Sequence, residues 1–208
     1  DVDAATFAGQ ARIEVETAAP LASIAMNALD LVITSAAIDG AAVQIASDQT
    51  AQTLTLTPRR PLRPGRHVIS IVYSGKIYDE SYGLFRVSYQ ADGQTKRALA
   101  TQFEPGDARR LAPMWDQPNR RAVFSVSVTA PSDQLAVSNM PPLRAVNAGN
   151  GLTRTTFADT PSMASYLLFL AVGDFERVTR NVDGVELGVV VRRGQTGRAN
   201  VALAAGEQ

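Results

Sequence analysis

The chain of 208 residues contains no cysteine and only one histidine, His67. Without cysteine there are no disulfide bonds and no thiolate metal sites, and one imidazole is too few for the usual zinc ligand sets. An HExxH motif is therefore absent, and no GxSxG motif accompanies His67, as a Ser/His/Asp triad would require. We expect no catalytic residue and no metal ligand in this chain, and we interpret His67 as a structural residue at the surface or at a strand edge.

The sequence also lacks excess charge of one sign and long apolar runs. Its 20 basic and 20 acidic side chains cancel and its arginine pairs are scattered, so nucleic acid is not an expected partner. No segment approaches the roughly 18 apolar residues that cross a bilayer, so no membrane span is expected. The first residues lack the pattern of a signal peptide. The cysteine-free composition fits the bacterial cytoplasm and an exported, periplasmic protein after signal removal equally well.

What the sequence does contain is a series of short apolar or alternating segments, separated at intervals of about ten residues by Gly, Pro, Asn and Asp. The predicted strands cover residues 11–16, 29–34, 42–46, 54–57, 67–73, 85–89, 97–102, 122–129, 134–138, 153–158, 165–172 and 185–192. Turn-forming residues lie between them, for example at 91–93 and 182–184. Helical signals are confined to 107–111 and 201–208. This pattern predicts an all-β fold, a twisted sandwich of large sheets.

One segment, residues 100–124, is denser in chemically distinctive residues than an ordinary connection and reads ATQFEPGDARRLAPMWDQPNRRAVF. Taken by themselves, its residues leave several interpretations open. Glu104 could pair with Arg109 or Arg110, and Gln102 could satisfy a strand end. Alternatively, Glu104 with Asp107 or Asp116 could form the carboxylate pair of a glycosidase. A stand-alone β-sandwich that binds a glycan or a protein, as an adhesion module does, is a further alternative.

The residues of this segment resemble a known signature. The runs TQFEPGDARR (101–110), PMWDQP (113–118) and AVF (122–124) are similar to the TQFEP...DARR...P..DEP..KA.F signature of the aminopeptidase N family of zinc metallopeptidases. Similar stretches follow the order of that family at 7–9, 73–77, 83–86, 138–141, 163–167 and 172–175. The family usually has glutamate where Gln117 stands, so the local charge network can differ from that of other members.

The resemblance implies a fold and a division of functions. Residues 1–198 are expected to form the saddle-shaped, multi-sheet β-sandwich that is the first domain of that family, and residues 199–208 a tail or the start of the linker. A catalytic domain with GxMEN and HExxH motifs follows in the family, and this sequence ends before either motif. The full-length parent is therefore expected to be a zinc aminopeptidase, whereas this chain alone is expected to be inactive.

Specific roles are also implied by the resemblance. Glu104 would bind the α-ammonium group of the peptide N-terminus, and Gln102 would contact the first residue of the substrate. Zinc and the general base would come from the missing catalytic domain in cis. A cis peptide bond is expected between Glu104 and Pro105. Five further large side chains are predicted to be core residues: Met114, Trp115, Tyr166, Phe169 and Phe175.

Overall fold

The computed structural model describes residues 1–91 and 93–206. Part of the predicted turn at 91–93 and the end of the predicted segment 201–208 lie outside these residues. The regular structure of the described chain is mainly β-strand, arranged in several antiparallel sheets, which confirms the predicted all-β sandwich. No helix within the described ranges is both long and apolar enough to cross a membrane.

The strands of the described chain are numbered in order. They are β1 (Thr6–Thr17), β2 (Ile24–Asn27), β3 (Leu31–Ile38), β4 (Ala41–Ala42), β5 (Gln44–Asp48), β6 (Thr53–Thr57), β7 (Gly65–Lys76), β8 (Gly83–Ala91), β9 (Gln94–Gln102), β10 (Arg121–Ala122), β11 (Ser127–Pro131), β12 (Leu135–Ser138), β13 (Pro142–Gly149), β14 (Leu152–Phe157), β15 (Met163–Ala164), β16 (Leu170–Gly173), β17 (Phe175–Val182) and β18 (Val185–Arg192). Short 3₁₀ turns occur at Ala108–Arg110, Ser165–Leu167 and Thr196–Arg198, and the helix α1 is Ala199–Gly206.

The chain divides into two compact units. Unit 1 contains Asp1–Arg86, Thr101–Val123 and Pro161–Leu168. Unit 2 contains Val87–Ala100, Phe124–Thr160 and the chain from Phe169 onward. The predicted boundary at residue 198 falls within unit 2 and stays a prediction.

Unit 1 is a sandwich of two antiparallel sheets, ordered β1-β7-β3-β4 and β2-β6-β5. The central strands β6 and β7 alternate buried residues with more exposed ones, as the period of two in a half-buried strand requires. The buried faces of the two sheets meet in one apolar cluster, so their side chains form the core of this unit. Its fully buried members include Leu54, Leu56, Ile69 and Ile71.

Unit 2 contains the sheets β12-β16-β9-β8 and β11-β14-β13 and the hairpin β17-β18. The hairpin turns at Asp183 and Gly184, whose φ angles of 50° and 84° give the type I′ geometry that suits the twist of paired strands. The helix α1 lies against β18 and buries Ala199 and Leu203. The end of the chain predicted as a tail or a linker is therefore packed, as far as Gly206.

Each predicted strand overlaps an observed one, but several boundaries are wrong. The predicted strand 122–129 is interrupted, because β10 ends at Ala122 and β11 begins at Ser127. The first half of the predicted strand 165–172 is a 3₁₀ turn, in which the Leu168 amide donates to the Ser165 carbonyl at 3.0 Å. The strands β2, β13, β15 and β17 were not predicted. No residue of β13 or β17 is buried, and neither strand alternates apolar and polar side chains.

Candidate functional site

The segment that carries the family signature forms a loop of unit 1. It leaves β9 at Gln102, makes a turn at residues 104–107 and one 3₁₀ turn at Ala108–Arg110, and runs on to β10. The bond between Glu104 and Pro105 is cis, which confirms the prediction. The single helical turn predicted at 107–111 is also confirmed. We call residues 102–118 the signature loop.

The first arginine of the signature, Arg109, ties the two halves of the signature loop together. Its Nε donates to Asp116 Oδ2 at 3.0 Å and its Nη2 donates to the Asp116 carbonyl at 3.2 Å. The Asp116 side chain is only 1% exposed, and its other carboxylate oxygen accepts from the Ser165 hydroxyl. Arg109 also donates to Gln52 Oε1 at 2.9 Å, which joins the loop to the turn before β6.

The second arginine, Arg110, binds a different set of groups. It donates to Asp107 Oδ1 at 2.7 Å and to Asp30 Oδ2 at 2.8 Å. Its guanidinium lies over the rings of Tyr78 and Tyr82, 5.3 and 4.9 Å from their centroids, which is cation–π geometry. The arginine is thus saturated by carboxylates and aromatic faces.

The burial, charges and hydrogen bonds around Arg110 shift the pKa values of Asp30 and Tyr78. Burial alone would raise the pKa of Asp30, but the hydrogen bond from Tyr78 and the charges of Lys76 and Arg110 outweigh it, so the pKa lies below the ordinary value. Burial, together with the neighbouring Asp30 carboxylate, raises the pKa of Tyr78 to about 12. Asp30 is therefore ionised and Tyr78 neutral at pH 7, as their hydrogen bond at 2.8 Å requires.

Glu104 differs from its neighbours because both arginines are bound to other carboxylates. Its side chain is exposed, and no ion pair to it occurs among the described residues. The alternative interpretation, in which Glu104 pairs with Arg109 or Arg110, is therefore wrong for this structure. Its backbone amide donates to Gln102 Oε1 at 3.1 Å. Gln102 thus stabilises the strand end, as the second half of that interpretation states, and holds the turn that presents the Glu104 carboxylate.

The other candidate residues have structural positions. Asp107 and Asp116, the possible partners of Glu104 in a glycosidase pair, are each bound to an arginine, so neither is placed as a free second carboxylate. Trp115 packs against the core of unit 1, as predicted, and Met114 is half-buried. Gln117, which departs from the family pattern, is exposed.

Phe169 is not a core residue, because 39% of its surface is exposed, and the prediction for it is wrong. Tyr166 and Phe175 are half-buried. The structural interpretation of His67 is supported by its two ring contacts, since Nδ1 lies 2.6 Å from Asp39 Oδ2 and Nε2 lies 2.8 Å from the Arg63 carbonyl. The expected surface position is wrong, because His67 is buried on β7, where it lies opposite Val15 of β1 and beyond the last pair between β7 and β3.

Sequence reasoning missed three partners that hold the signature loop: Asp30, Gln52 and Asn27. The Asn27 side chain accepts from the Asp116 amide at 3.1 Å, and its backbone exchanges hydrogen bonds with Met114. These partners lie about 50 to 90 residues from the loop in the sequence and belong to no local motif. Two of them, Asp30 and Gln52, have positive φ angles of 56° and 55°, which non-glycine residues rarely adopt.

Together, the fold and the signature loop define a β-sandwich module that presents a carboxylate from a tightly held turn. The sequence profile of the Peptidase M1 N-terminal domain matches residues 1–167, and the chain belongs to this family. The predicted relationship is therefore confirmed.

The similar proteins are named as aminopeptidases. The chain is 38% identical over 210 residues to aminopeptidase N of Acetobacter pasteurianus, an alignment that covers 100% of this chain and 59% of that protein. It is 30% identical over 214 residues to aminopeptidase M1-A of Oryza sativa subsp. japonica and 31% identical over 216 residues to aminopeptidase M1 of Arabidopsis thaliana. These alignments cover 98% and 99% of this chain but only 24% of each plant protein. The chain thus spans from about a quarter to about three fifths of these relatives.

The M1 aminopeptidases are in general zinc enzymes, and the described residues do not fit a zinc site. No group of three or more His, Asp or Glu side chains in residues 1–91 and 93–206 is arranged to hold a metal ion, and the chain has one histidine and no cysteine. The zinc that the family implies therefore has no ligand set in this part of the chain.

Proposed function

We propose that this chain is the non-catalytic first domain of a longer zinc aminopeptidase and that Glu104 binds the α-ammonium group of the substrate. Zinc and the catalytic machinery would be supplied by a catalytic domain in cis. The observation that carries the proposal is the exposed Glu104 carboxylate, which has no ion-pair partner among the described residues, while the two arginines of the same loop are bound to other groups. A carboxylate without a cation of its own is available to a cation from outside.

The chemistry of an exopeptidase requires such a group, because only the chain terminus carries a free ammonium. Two opposite charges 4 Å apart in an effective dielectric of about 20 attract each other by about 4 kcal/mol before desolvation. Even part of this energy favours the binding of a peptide N-terminus over that of an internal peptide bond by orders of magnitude. Gln102, which lies next to Glu104 and holds its turn, is proposed to contact the first residue of the substrate.

The test is Glu104→Gln in the full-length parent, which removes the charge but keeps the side-chain shape. We expect kcat/KM for an aminoacyl anilide to fall about 100-fold, the effect of losing one member of a close charge pair. Zinc content should not change. The matched control is Glu16→Gln, an exposed carboxylate on β1. Unchanged kinetics for Glu104→Gln, or an equal loss in the control, would refute the anchoring role.

The isolated chain provides a second test of the same proposal. Supplied with zinc, it should release no product from aminoacyl anilides, because the described residues contain no ligand set for the metal. Turnover by the pure chain that is abolished by a chelator would contradict the assignment of catalysis to another domain.

A further inference from the structure

The loop between β6 and β7 is a basic element that the proposed function does not use. Residues 58–64 contain three arginines and no acidic residue. Arg59, Arg60 and Arg63 are exposed, and no ion pair to any of them occurs within the described ranges. Prolines at 58, 61 and 64 restrict the backbone φ angles, so the backbone that carries the three arginines is largely fixed.

The loop is also fixed to the rest of unit 1. Leu62 is buried, and its backbone exchanges hydrogen bonds with Leu21 at 3.1 and 2.8 Å. The backbone between the first two arginines and Arg63 is thus held in place. A preorganised cationic loop binds an anionic partner with little loss of conformational entropy.

Beside this loop lies a groove of about 480 Å³, which we call the Arg59–Arg60 groove. Its volume is within the range of about 300–1,000 Å³ that is typical of ligand sites. Most of its lining is apolar and consists of Ile38, Ala41, Ala42, Val43, Pro58 and Leu62. The strand β4 is the last strand of its sheet, so its backbone borders the groove at a sheet edge.

The charge of the groove is positive. Arg59 and Arg60 line it, and the only carboxylate in the lining is that of Asp39. That carboxylate is bound by His67 Nδ1, while His67 Nε2 faces the Arg63 carbonyl. Because both partners of the ring are acceptors, both hydrogen bonds are present only while the imidazole is doubly protonated and positively charged. The charge of Asp39 is balanced in that state, whereas the two arginines have no counter-ion among the described residues.

We propose that the Arg59–Arg60 groove is a docking site for an acidic peptide segment in which an apolar side chain lies beside carboxylates. The carboxylates pair with the two arginines, and the apolar side chain covers the lining between β4 and Leu62. Nucleic acid fits less well, since phosphates would satisfy the arginines and leave the apolar lining uncovered. The proposal does not depend on the role of Glu104.

The test uses the full 208-residue chain and a labelled decapeptide in which Glu alternates with Leu, with its N-terminus acetylated and its C-terminus amidated. Acetylation removes the α-ammonium, so binding at Glu104 does not contribute. Fluorescence anisotropy should show binding that weakens by about tenfold or more in the Arg59→Glu/Arg60→Glu double variant. The matched control is Arg144→Glu/Arg154→Glu, which reverses two exposed arginines of unit 2 and should leave the affinity unchanged.

Two further probes separate the contributions of charge and apolar contact. A peptide with Gln in place of Glu should bind at least about tenfold more weakly, and so should a peptide with Ser in place of Leu. The proposal is overturned if no peptide binds, or if the control variant loses as much affinity as the groove variant. Equal binding of the Ser peptide, or tighter binding of single-stranded DNA, would also overturn it, because either result makes the loop a general polyanion surface.

Discussion

In the signature loop, the Glu104 carboxylate has no ion-pair partner among the described residues, although the loop contains two arginines. Arg109 and Arg110 are adjacent in the sequence, yet the first is held by Asp116 and Gln52 and the second by Asp107 and Asp30. Each guanidinium is planar and has several donors, so one arginine can satisfy two or three acceptors at once. The result is a rigid loop in which Glu104 is the carboxylate without an ion-pair partner among the described residues.

His67 provides a pH-dependent prediction at this scale. The hydrogen bond with Asp39, followed by that with the Arg63 carbonyl, raises the pKa of His67 above its usual 6.5. A raised folded-state pKa means that the bonds stabilise the fold fully below pH 6.5 and that this stabilisation is lost as the pH rises through the folded-state pKa. The pKa of Asp39 is lowered, first by its hydrogen bond with His67, so Asp39 stays charged throughout this range.

The measurement is the urea midpoint of the wild type and of His67→Gln from pH 5 to pH 9. The wild type should be the more stable below pH 6.5, and the gap should narrow at alkaline pH. A gap that is constant with pH, or that widens as the pH rises, would show that the charged imidazole does not stabilise the fold.

The sequence predicted Glu104 as the site residue and His67 as structural, but it did not predict their partners. Glu104 belongs to a signature of neighbouring residues, and such a signature can be read from the sequence alone. Asp30 and Asp39 meet their partners across 80 and 28 residues, and such pairs depend on which distant segments the fold brings together, which the alternation pattern does not determine.

Among the elements, the pair β1 and β7 contains two close approaches of an aromatic ring to a glycine, one at Gly9 and one at Gly75. Gly9 lies opposite Tyr73 in the register, and a Cβ atom at Gly9 would lie 2.4 Å from Cζ of the Tyr73 ring. The absence of a side chain lets the ring of Tyr73 lie over β1, where it also makes an edge contact with Phe7 at 6.3 Å between centroids. This contact accounts for a glycine at position 9.

We therefore expect Gly9→Ala to lower the free energy of unfolding by about 1–3 kcal/mol, the usual effect of overpacking, as measured by urea unfolding. In a Tyr73→Leu background the same substitution should have a smaller effect, because the ring that the methyl group meets is gone. The matched control is Gly197→Ala, where an added Cβ meets no atom within 4 Å. Equal effects of Gly9→Ala in both backgrounds would show that the close approach is not responsible.

The elements also show which parts of the fold were predictable. Alternating strands such as β6 and β7 were predicted because one face of each is buried. The hairpin β17-β18 was half predicted: its Asp-Gly turn and second strand are visible in the sequence, whereas β17 is largely polar and has no buried residue. A strand without a buried face shows no alternation of apolar and polar residues, so its sequence does not predict it.

At the scale of the whole molecule, each of the two units has its own charged group at the centre of a hydrogen-bond network. In unit 1 this is Asp116, bound by Arg109 and Ser165. In unit 2 it is Asp174, which binds Lys96 and Arg193 and whose pKa is lowered, first by the hydrogen bond from Lys96. Compact units with separate networks behave in many proteins as separate cooperative units of unfolding.

The last prediction compares Asp116→Asn with Asp174→Asn by hydrogen exchange and mass spectrometry. Removing the buried Asp116 charge leaves Arg109 without its counter-ion and should cost about 3 kcal/mol or more. Asp174 is 20% exposed, so its loss should cost less, about 1–2 kcal/mol. Each variant is the matched control of the other, since both change one carboxylate to an amide. Asp116→Asn should speed exchange in β2, β6 and the signature loop, and Asp174→Asn should speed it in β16, β17 and β18. If either variant speeds exchange equally throughout the chain, the two units unfold together and are not separate cooperative units.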